Sequence, residues 1–191
     1  MSAQLKVLGF AGSTREGSFN RQLLRAAAGL AVDAGLTVNI IDLREYALPL
    51  YDGDLEEREG LPANALKLKQ LIASHDAVLL ASPEYNASVS AVLKNTIDWT
   101  SRPGGAEDPG KVWNEKPVAL LSASPGGLGG IRALNHLRAI LLNVSALVLP
   151  AQFALGQAME AFDEDGELKS TDAQAAVKGL LAQLAKWAAV K

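Results

Sequence analysis

The sequence predicts a doubly wound α/β fold, with five parallel strands and helices on both faces of the sheet. Short apolar runs alternate with longer segments of helical period along the 191 residues. The runs are apolar throughout rather than at every second position, which marks strands buried on both faces. Helical segments separate successive runs, and parallel strands need such crossovers. The length suits one compact domain spanning residues 1–191.

The first strand is Lys6-Val7-Leu8-Gly9-Phe10, followed at once by the glycine and hydroxyl cluster Ala11-Gly12-Ser13-Thr14. From Phe19 to about Ala34, the residues Leu23, Leu24, Ala27, Leu30 and Ala31 recur with the period of an amphipathic helix. Ser18 is placed to cap it and Gly35 to stop it. Thr37 to Ile41 is the second strand. Pro62 begins a helix through Leu66, Leu68, Leu71 and Ile72, because a first helical turn does not need the missing N–H. Ala77 to Ala81 is the third strand and ends at Ser82-Pro83. Ser88 to Thr100 reads as a helix, with Val89, Val92, Leu93, Ile97 and Trp99 near one side. Pro117 to Leu121 is the fourth strand, Ile131 to Leu142 a helix, Ala146 to Leu149 the fifth strand, and Asp172 to Val190 a closing helix rich in Ala and Leu. Two connections are unusually long, Leu43 to Gly60 and Ser101 to Glu115, and loops of that length are often functional.

Composition removes several function classes. The chain carries 18 basic and 21 acidic residues, a net charge of −3, which argues against a protein that wraps nucleic acid. It is 49% apolar, enough to bury a core. It has no cysteine, so disulfides, thiol nucleophiles and iron–sulfur clusters are excluded. Two histidines leave little room for a histidine-rich metal centre. No run of about twenty apolar residues exists to span a membrane. The start, Met1-Ser2-Ala3-Gln4-Leu5-Lys6, runs straight into the first strand without the segments of a secretory signal. A cytoplasmic protein is the simplest expectation.

The connection after the first strand, Gly12 to Asn20, lies where open parallel sheets bind ligands, at the carboxyl ends of the strands. It offers backbone N–H groups at a helix start, hydroxyls on Ser13, Thr14 and Ser18, the amide of Asn20 and the guanidinium of Arg15. That set suits a phosphate. It is not a Walker A loop, because Gly12 and Gly17 are followed by Ser18 and Phe19 where a lysine is needed. It is not the dinucleotide G-x-G-x-x-G either. A terminal phosphomonoester, as in a mononucleotide, remains; the alternative is a capped helix start with a solvated arginine.

The second candidate loop is Ser82-Pro83-Glu84-Tyr85-Asn86. In a sheet ordered 2-1-3-4-5, strands one and three flank the reversal of winding, where a crevice forms. A ligand whose phosphate sits after strand one would extend against this loop, with Tyr85 as an aromatic face and Asn86 as a hydrogen-bonding group. The alternative is a proline turn with a buried tyrosine.

Three motifs together resemble the NADPH-dependent FMN reductase family. They are Gly12-Ser13-Thr14-Arg15 with Ser18-Phe19-Asn20, Pro83-Glu84-Tyr85-Asn86 with Leu93 to Trp99, and Ser122-Ala123-Ser124-Pro125-Gly126-Gly127 with Gly129-Gly130-Ile131-Arg132-Ala133. The likeness runs from Val7 to about Pro150. It implies a flavodoxin-like fold and transfer of hydride from NADPH or NADH through FMN to a small acceptor such as a quinone, chromate, an azo dye or free flavin. It implies that Ser13, Arg15, Ser18, Phe19 and Asn20 hold the FMN phosphate. Pro83, Glu84, Tyr85 and Asn86 would line the isoalloxazine, and Ser124, Gly126 and Gly127 would approach its far side. It also suggests a homodimer or homotetramer packed through the helices beginning near Ser88 and Ile131. Ala87 departs from the pattern, since several members carry a bulkier residue there. No side-chain nucleophile or general acid is required by such chemistry, and no catalytic side chain or metal site is assigned. A flavodoxin-like electron carrier without its own NAD(P)H activity is the alternative, although such carriers tend to be strongly acidic and −3 is a weak charge.

Other residues invite weaker readings. His75 and His136 have no metal-ligand partner at helical spacing and read as surface or subunit-contact residues. Ser124 lacks the G-x-S-x-G frame of a hydrolase nucleophile. The carboxylates from Asp52 to Glu59 read as a solvated acidic loop, and those around Gly166 as a turn. Trp99 and Trp113 read as core or interface, with Arg102 between them able to reach a flavin or a neighbouring subunit.

Overall fold

The computed structural model describes residues 4–190. Met1 to Ala3, part of the N-terminal reading above, and Lys191 lie outside the described residues. The strands are β1 (Leu5–Ala11), β2 (Leu36–Ile41), β3 (Ala77–Ala81), β4 (Pro117–Ala123) and β5 (Leu147–Leu155). They form one parallel sheet in the order β2-β1-β3-β4-β5. The helices are α1 (Phe19–Ala31), α2 (Gly53–Glu59), α3 (Ala63–Ser74), α4 (Ala91–Thr100), α5 (Ile131–Asn143) and α6 (Thr171–Ala188). This is the flavodoxin-like topology, and its winding reverses between β1 and β3.

Both sheet faces are covered. One core joins Leu23, Leu24 and Ala27 of α1 and Leu180, Leu181 and Leu184 of α6 to Val7, Leu79 and Leu121 of the sheet. The other joins Leu68 and Ile72 of α3, Leu93 and Ile97 of α4, and Leu134, Leu137 and Leu141 of α5 to Leu8, Phe10, Leu80 and Leu120. Each of the valine, leucine, isoleucine and phenylalanine side chains among them contributes about 1.5–3 kcal/mol when fully removed from water. β1, β3 and β4 are buried almost throughout, as their continuous apolar runs require. β2 departs from the expectation, because it forms a sheet edge and Thr37, Asn39 and Ile40 are exposed.

Most boundaries fall where the sequence put them. Ser18 caps α1, accepting from the Arg21 N–H, and Gly35 ends the following 3-10 turn at φ 73°. Pro62 stands one residue before α3 as its N-cap. α4 begins three residues later than its apolar pattern suggests, because Tyr85 and Ser88 pair back-to-back in a tight turn and Ser90 becomes the cap. β5 runs on past Pro150. The strand takes a register shift opposite Val118 and Leu120, and Arg138 donates to the carbonyls of Leu149 (2.7 Å) and Pro150 (3.3 Å) there. His75 is buried at the end of α3 rather than on the surface. Its Nδ1 lies 2.7 Å from the Leu71 carbonyl and its Nε2 3.4 Å from Asn39 Nδ2.

The two long connections are pinned down. Within residues 43–60 lie a 3-10 turn (Leu43–Tyr46) and α2, which Asp52 caps. Trp99 Nε1 and Asn95 Nδ2 both donate to the Pro49 carbonyl at 2.8 Å, and Tyr51 N–H donates to Asn95 Oδ1 at 2.8 Å. Arg102 bonds Glu56 (3.0 Å) and stacks over Tyr51, so it is spent inside the chain. Residues 101–115 are fastened by a buried ion pair between Lys69 and Asp108. No helix among the described residues is long and apolar enough to cross a membrane.

Candidate functional site

Three loops leave the carboxyl ends of β1, β3 and β4 and converge on a cavity of ≈ 80 Å³. Ser13, Arg15, Ser18, Phe19 and Asn20 line it from the first loop, and Pro83, Glu84 and Tyr85 from the second. The third supplies Ser124, together with Ala123 and Pro125, which the sequence reading missed. Asn86, Gly126 and Gly127 stand outside this cavity. Asn86 forms the tip of the turn after β3, while Gly126 packs on the end of β5, where its carbonyl accepts from Gln157 N–H (3.4 Å).

The first loop is a donor array. α1 has no acidic residue in its first turn, and the N–H groups of Phe19 and Asn20 have no partner among the described residues. Ser18 accepts from Arg21 N–H (3.4 Å) and Ser13 from Arg15 N–H (3.3 Å), which leaves both hydroxyl protons free to donate outward. The Arg15 guanidinium is exposed and meets no carboxylate among the described residues. A helix dipole, free N–H groups, hydroxyls and an unpaired cation fit a dianionic phosphomonoester.

The loop is held from behind. Gly12 N–H donates to the Ala81 carbonyl (2.9 Å), and the buried Ser90 hydroxyl donates to the Gly12 carbonyl (2.6 Å). A Cβ on Gly12 would come within 2.8 Å of Leu93 Cβ, so glycine lets β1 approach α4. Asn20 is turned inward: its amide donates to the Ala123 carbonyl and accepts from the Ala123 N–H, both at 2.9 Å. It thereby clamps the first loop to the third, and only its backbone N–H is left without a partner among the described residues.

The second loop is a two-residue turn. Asn86 (φ 50°) and Ala87 (φ 62°) are both left-handed, and Tyr85 and Ser88 exchange backbone bonds at 3.0 Å. This geometry leaves Tyr85 half exposed beside the cavity. Glu84 contributes its backbone and stem, but its carboxylate is spent. It is bonded by Arg132, with Nε at 2.7 Å, and by the Ala133 N–H at 3.1 Å. Burial opposes the charged form, yet Arg132 and the Ala133 N–H outweigh it and hold this carboxyl below its ordinary value. A carboxyl depressed in the folded state adds stability above its unfolded pKa and loses it as pH falls through the folded one. Glu84→Gln will therefore flatten the decline in melting temperature below about pH 4.5 relative to the unaltered protein. Identical acid limbs in thermal scans from pH 7 to pH 3.5 would count against the tie.

A flavodoxin-like sheet whose first loop offers donors that fit a phosphomonoester, facing an aromatic loop across the winding reversal, has the architecture of FMN-binding α/β proteins. Residues 5–160 match the family described as NADPH-dependent FMN reductase. An NAD(P)H-dependent FMN reductase of Pseudomonas aeruginosa is 39% identical, with 98% of this chain and 97% of the relative covered. An NADPH:quinone oxidoreductase of Arabidopsis thaliana is also 39% identical, over 94% of this chain and 90% of its own. Among solved structures, a flavoenzyme NAD(P)H:(acceptor) oxidoreductase from Paracoccus denitrificans superposes with a TM-score of 0.81 at 31% identity, covering 97% of this chain and 98% of its own. The chain belongs to the NADPH-dependent FMN reductase family. It is an oxidoreductase that works with FMN and NAD(P)H.

Proposed function

We propose that the chain is a single-domain cytoplasmic quinone reductase that takes electrons from NAD(P)H through FMN held in the three-loop cleft. The observation that carries this is the pair of free N–H groups of Phe19 and Asn20 beside the unpaired Arg15, on the wall that Tyr85 shares. In this reading Ser13, Arg15, Ser18 and the N–H groups of Phe19 and Asn20 hold the phosphate. Pro83 and Tyr85 bound the space for the ring, Asn86 offers its amide at the rim, and Ser124, Gly126 and Gly127 approach the far side. Bound FMN supplies the chemistry of taking hydride from a reduced nicotinamide and handing electrons to a quinone.

The chain's own contribution is placement and field. Backbone N–H groups of the loop after β4 would favour negative charge developing on a bound flavin. Pro83 and Tyr85, which line the cavity, would shield one side of a bound ring from water. No acid or base side chain is needed at the reacting atoms, and Glu84, the nearest carboxylate, stays paired with Arg132. Exposed apolar residues at Leu128 and Leu142, beside and on α5, support assembly into a homodimer or homotetramer.

An absorbance titration of the purified protein with FMN, followed by NADPH and then a quinone, tests the reading. Binding should perturb the flavin bands, NADPH should bleach them and quinone restore them, with steady NADPH oxidation when all are present. Flavin binding without NADPH oxidation would instead assign the chain to the electron carriers.

A further inference from the structure

Two residues of α5 that stand outside the three-loop cavity grip the loop that carries Tyr85. Arg132 and His136 are one helical turn apart and so share a face of α5. Arg132 bonds Glu84 Oε1 through both Nε (2.7 Å) and Nη2. His136 Nδ1 lies 3.0 Å from Ser88 Oγ. The two contacts fall on either side of Tyr85-Asn86-Ala87 and form a clasp across the turn.

The turn needs holding. Asn86 (φ 50°) and Ala87 (φ 62°) are both left-handed, a conformation that a β-carbon makes costly, more so for alanine than for asparagine. Such backbone persists where its surroundings over-determine it. Within the turn only the paired backbone bonds of Tyr85 and Ser88 serve, because no hydrogen bond reaches the side chains of Tyr85 and Asn86 among the described residues.

α5 depends on the same loop. Its N-cap, Gly130, is left-handed at φ 89° and has no side chain to cap the helix. Glu84 supplies the cap from the loop after β3: its Oε2 accepts from the Ala133 N–H at 3.1 Å, the bond a capping side chain of the helix itself would make. A Cβ on Gly130 would overlap Ser122 Oγ and stand 3.6 Å from Glu84 Cβ, so glycine lets the helix start close against the loop. Helix and turn are thereby fixed to each other.

We propose that Arg132 and His136 are positioning residues for the reductase. They hold the turn so that the half-exposed Tyr85 faces the cleft, and through Tyr85 they set the affinity for the flavin ring and for the acceptor. The proposal rests on the reading of the chain as an FMN-dependent quinone reductase.

The test is a double-mutant cycle of Arg132→Ala with Tyr85→Ala, read by fluorescence titration of FMN and by KM and kcat for a quinone at saturating FMN. Arg132→Ala should raise the dissociation constant for FMN and the quinone KM about threefold or more and leave kcat within about twofold, since it weakens ground-state and transition-state binding alike. In the Tyr85→Ala background the same substitution should change neither constant by more than about twofold. An equal effect in both backgrounds would overturn the proposal, because Arg132 would then act without Tyr85. A lower melting temperature with unchanged dissociation constant and KM would overturn it too, leaving a structural ion pair. Should Arg132→Ala fold poorly because it strands the Glu84 carboxylate, His136→Ala and Ser88→Ala carry the test without stranding a charge. Each should reproduce part of the rise in KM, and the two together no more than either alone. Full additivity of those two would overturn the clasp.

Amide hydrogen exchange on flavin-free protein separates the clasp from the flavin reading. The Tyr85 and Ser88 N–H groups should exchange about tenfold faster in Arg132→Ala, while Leu79 and Leu80 of β3 keep their protection. Unchanged protection at Tyr85 and Ser88 would overturn the proposal. FMN failing to bind the unaltered protein would strike the reductase reading instead, with the exchange result standing by itself.

Discussion

Arg15→Ala will raise the dissociation constant for FMN by roughly one to two orders of magnitude. A charge-assisted hydrogen bond is worth about 1.5–3 kcal/mol, and each 1.4 kcal/mol is tenfold in affinity. Two features make the estimate cleaner than usual. The guanidinium meets no carboxylate among the described residues, so its removal strands no buried partner. It is also exposed, so the fold does not depend on it. The melting temperature of the flavin-free protein should hold, and turnover with saturating FMN should stay close to that of the unaltered enzyme. Arg15→Lys keeps the charge without the planar fork and should fall between the two. Fluorescence titration of FMN reads the effect directly, and an unchanged dissociation constant would move the phosphate away from this loop.

The sheet order and the place of the candidate cleft were legible because they depend on local signals that agree. Continuous apolar runs marked β1, β3 and β4, and the crossovers between them fixed parallel pairing. Hydroxyl and glycine clusters then fell at the strand ends where ligands collect. Less legible was anything decided by contacts distant in sequence. α2 has no buried residue and no apolar stripe, so its acidic stretch resembled a loop; it exists because Asp52 caps it and Arg102 holds Glu56 from the end of α4. Lys69 and Asp108 form a buried pair that no spacing rule could join. The motif from Leu93 to Trp99 carries a further lesson. Asn95 and Trp99 do not line the three-loop cavity and instead hold Pro49 and Tyr51, fastening the long connection after β2. Glu84 and Asn20 line the candidate cavity as expected, but their side chains bind the protein itself.

That inward turn of Asn20 yields the other large effect. Asn20→Ala removes both partners of the Ala123 backbone at once, and each site is buried, with Asn20 at 3% and Ala123 at 4% exposure. An unsatisfied buried polar group costs about 1–3 kcal/mol, so the loss should be roughly 3 kcal/mol or more. For a chain of this size about 2–4 °C of melting temperature goes with each kcal/mol, which predicts a fall of around 6–12 °C. Asn20→Asp does not rescue it. The carboxylate can still accept from the Ala123 N–H, but it sets an oxygen against the Ala123 carbonyl and buries a charge among neutral neighbours. The clamp also fixes the loop after β1 relative to the loop after β4, so FMN affinity should fall together with stability. This pairing separates the two roles: Arg15→Ala lowers affinity alone, whereas Asn20→Ala lowers both. A flavin-free melting temperature unchanged in Asn20→Ala would show that solvent or a relaxed loop satisfies Ala123, and the side chain would then be free to act on the ligand directly.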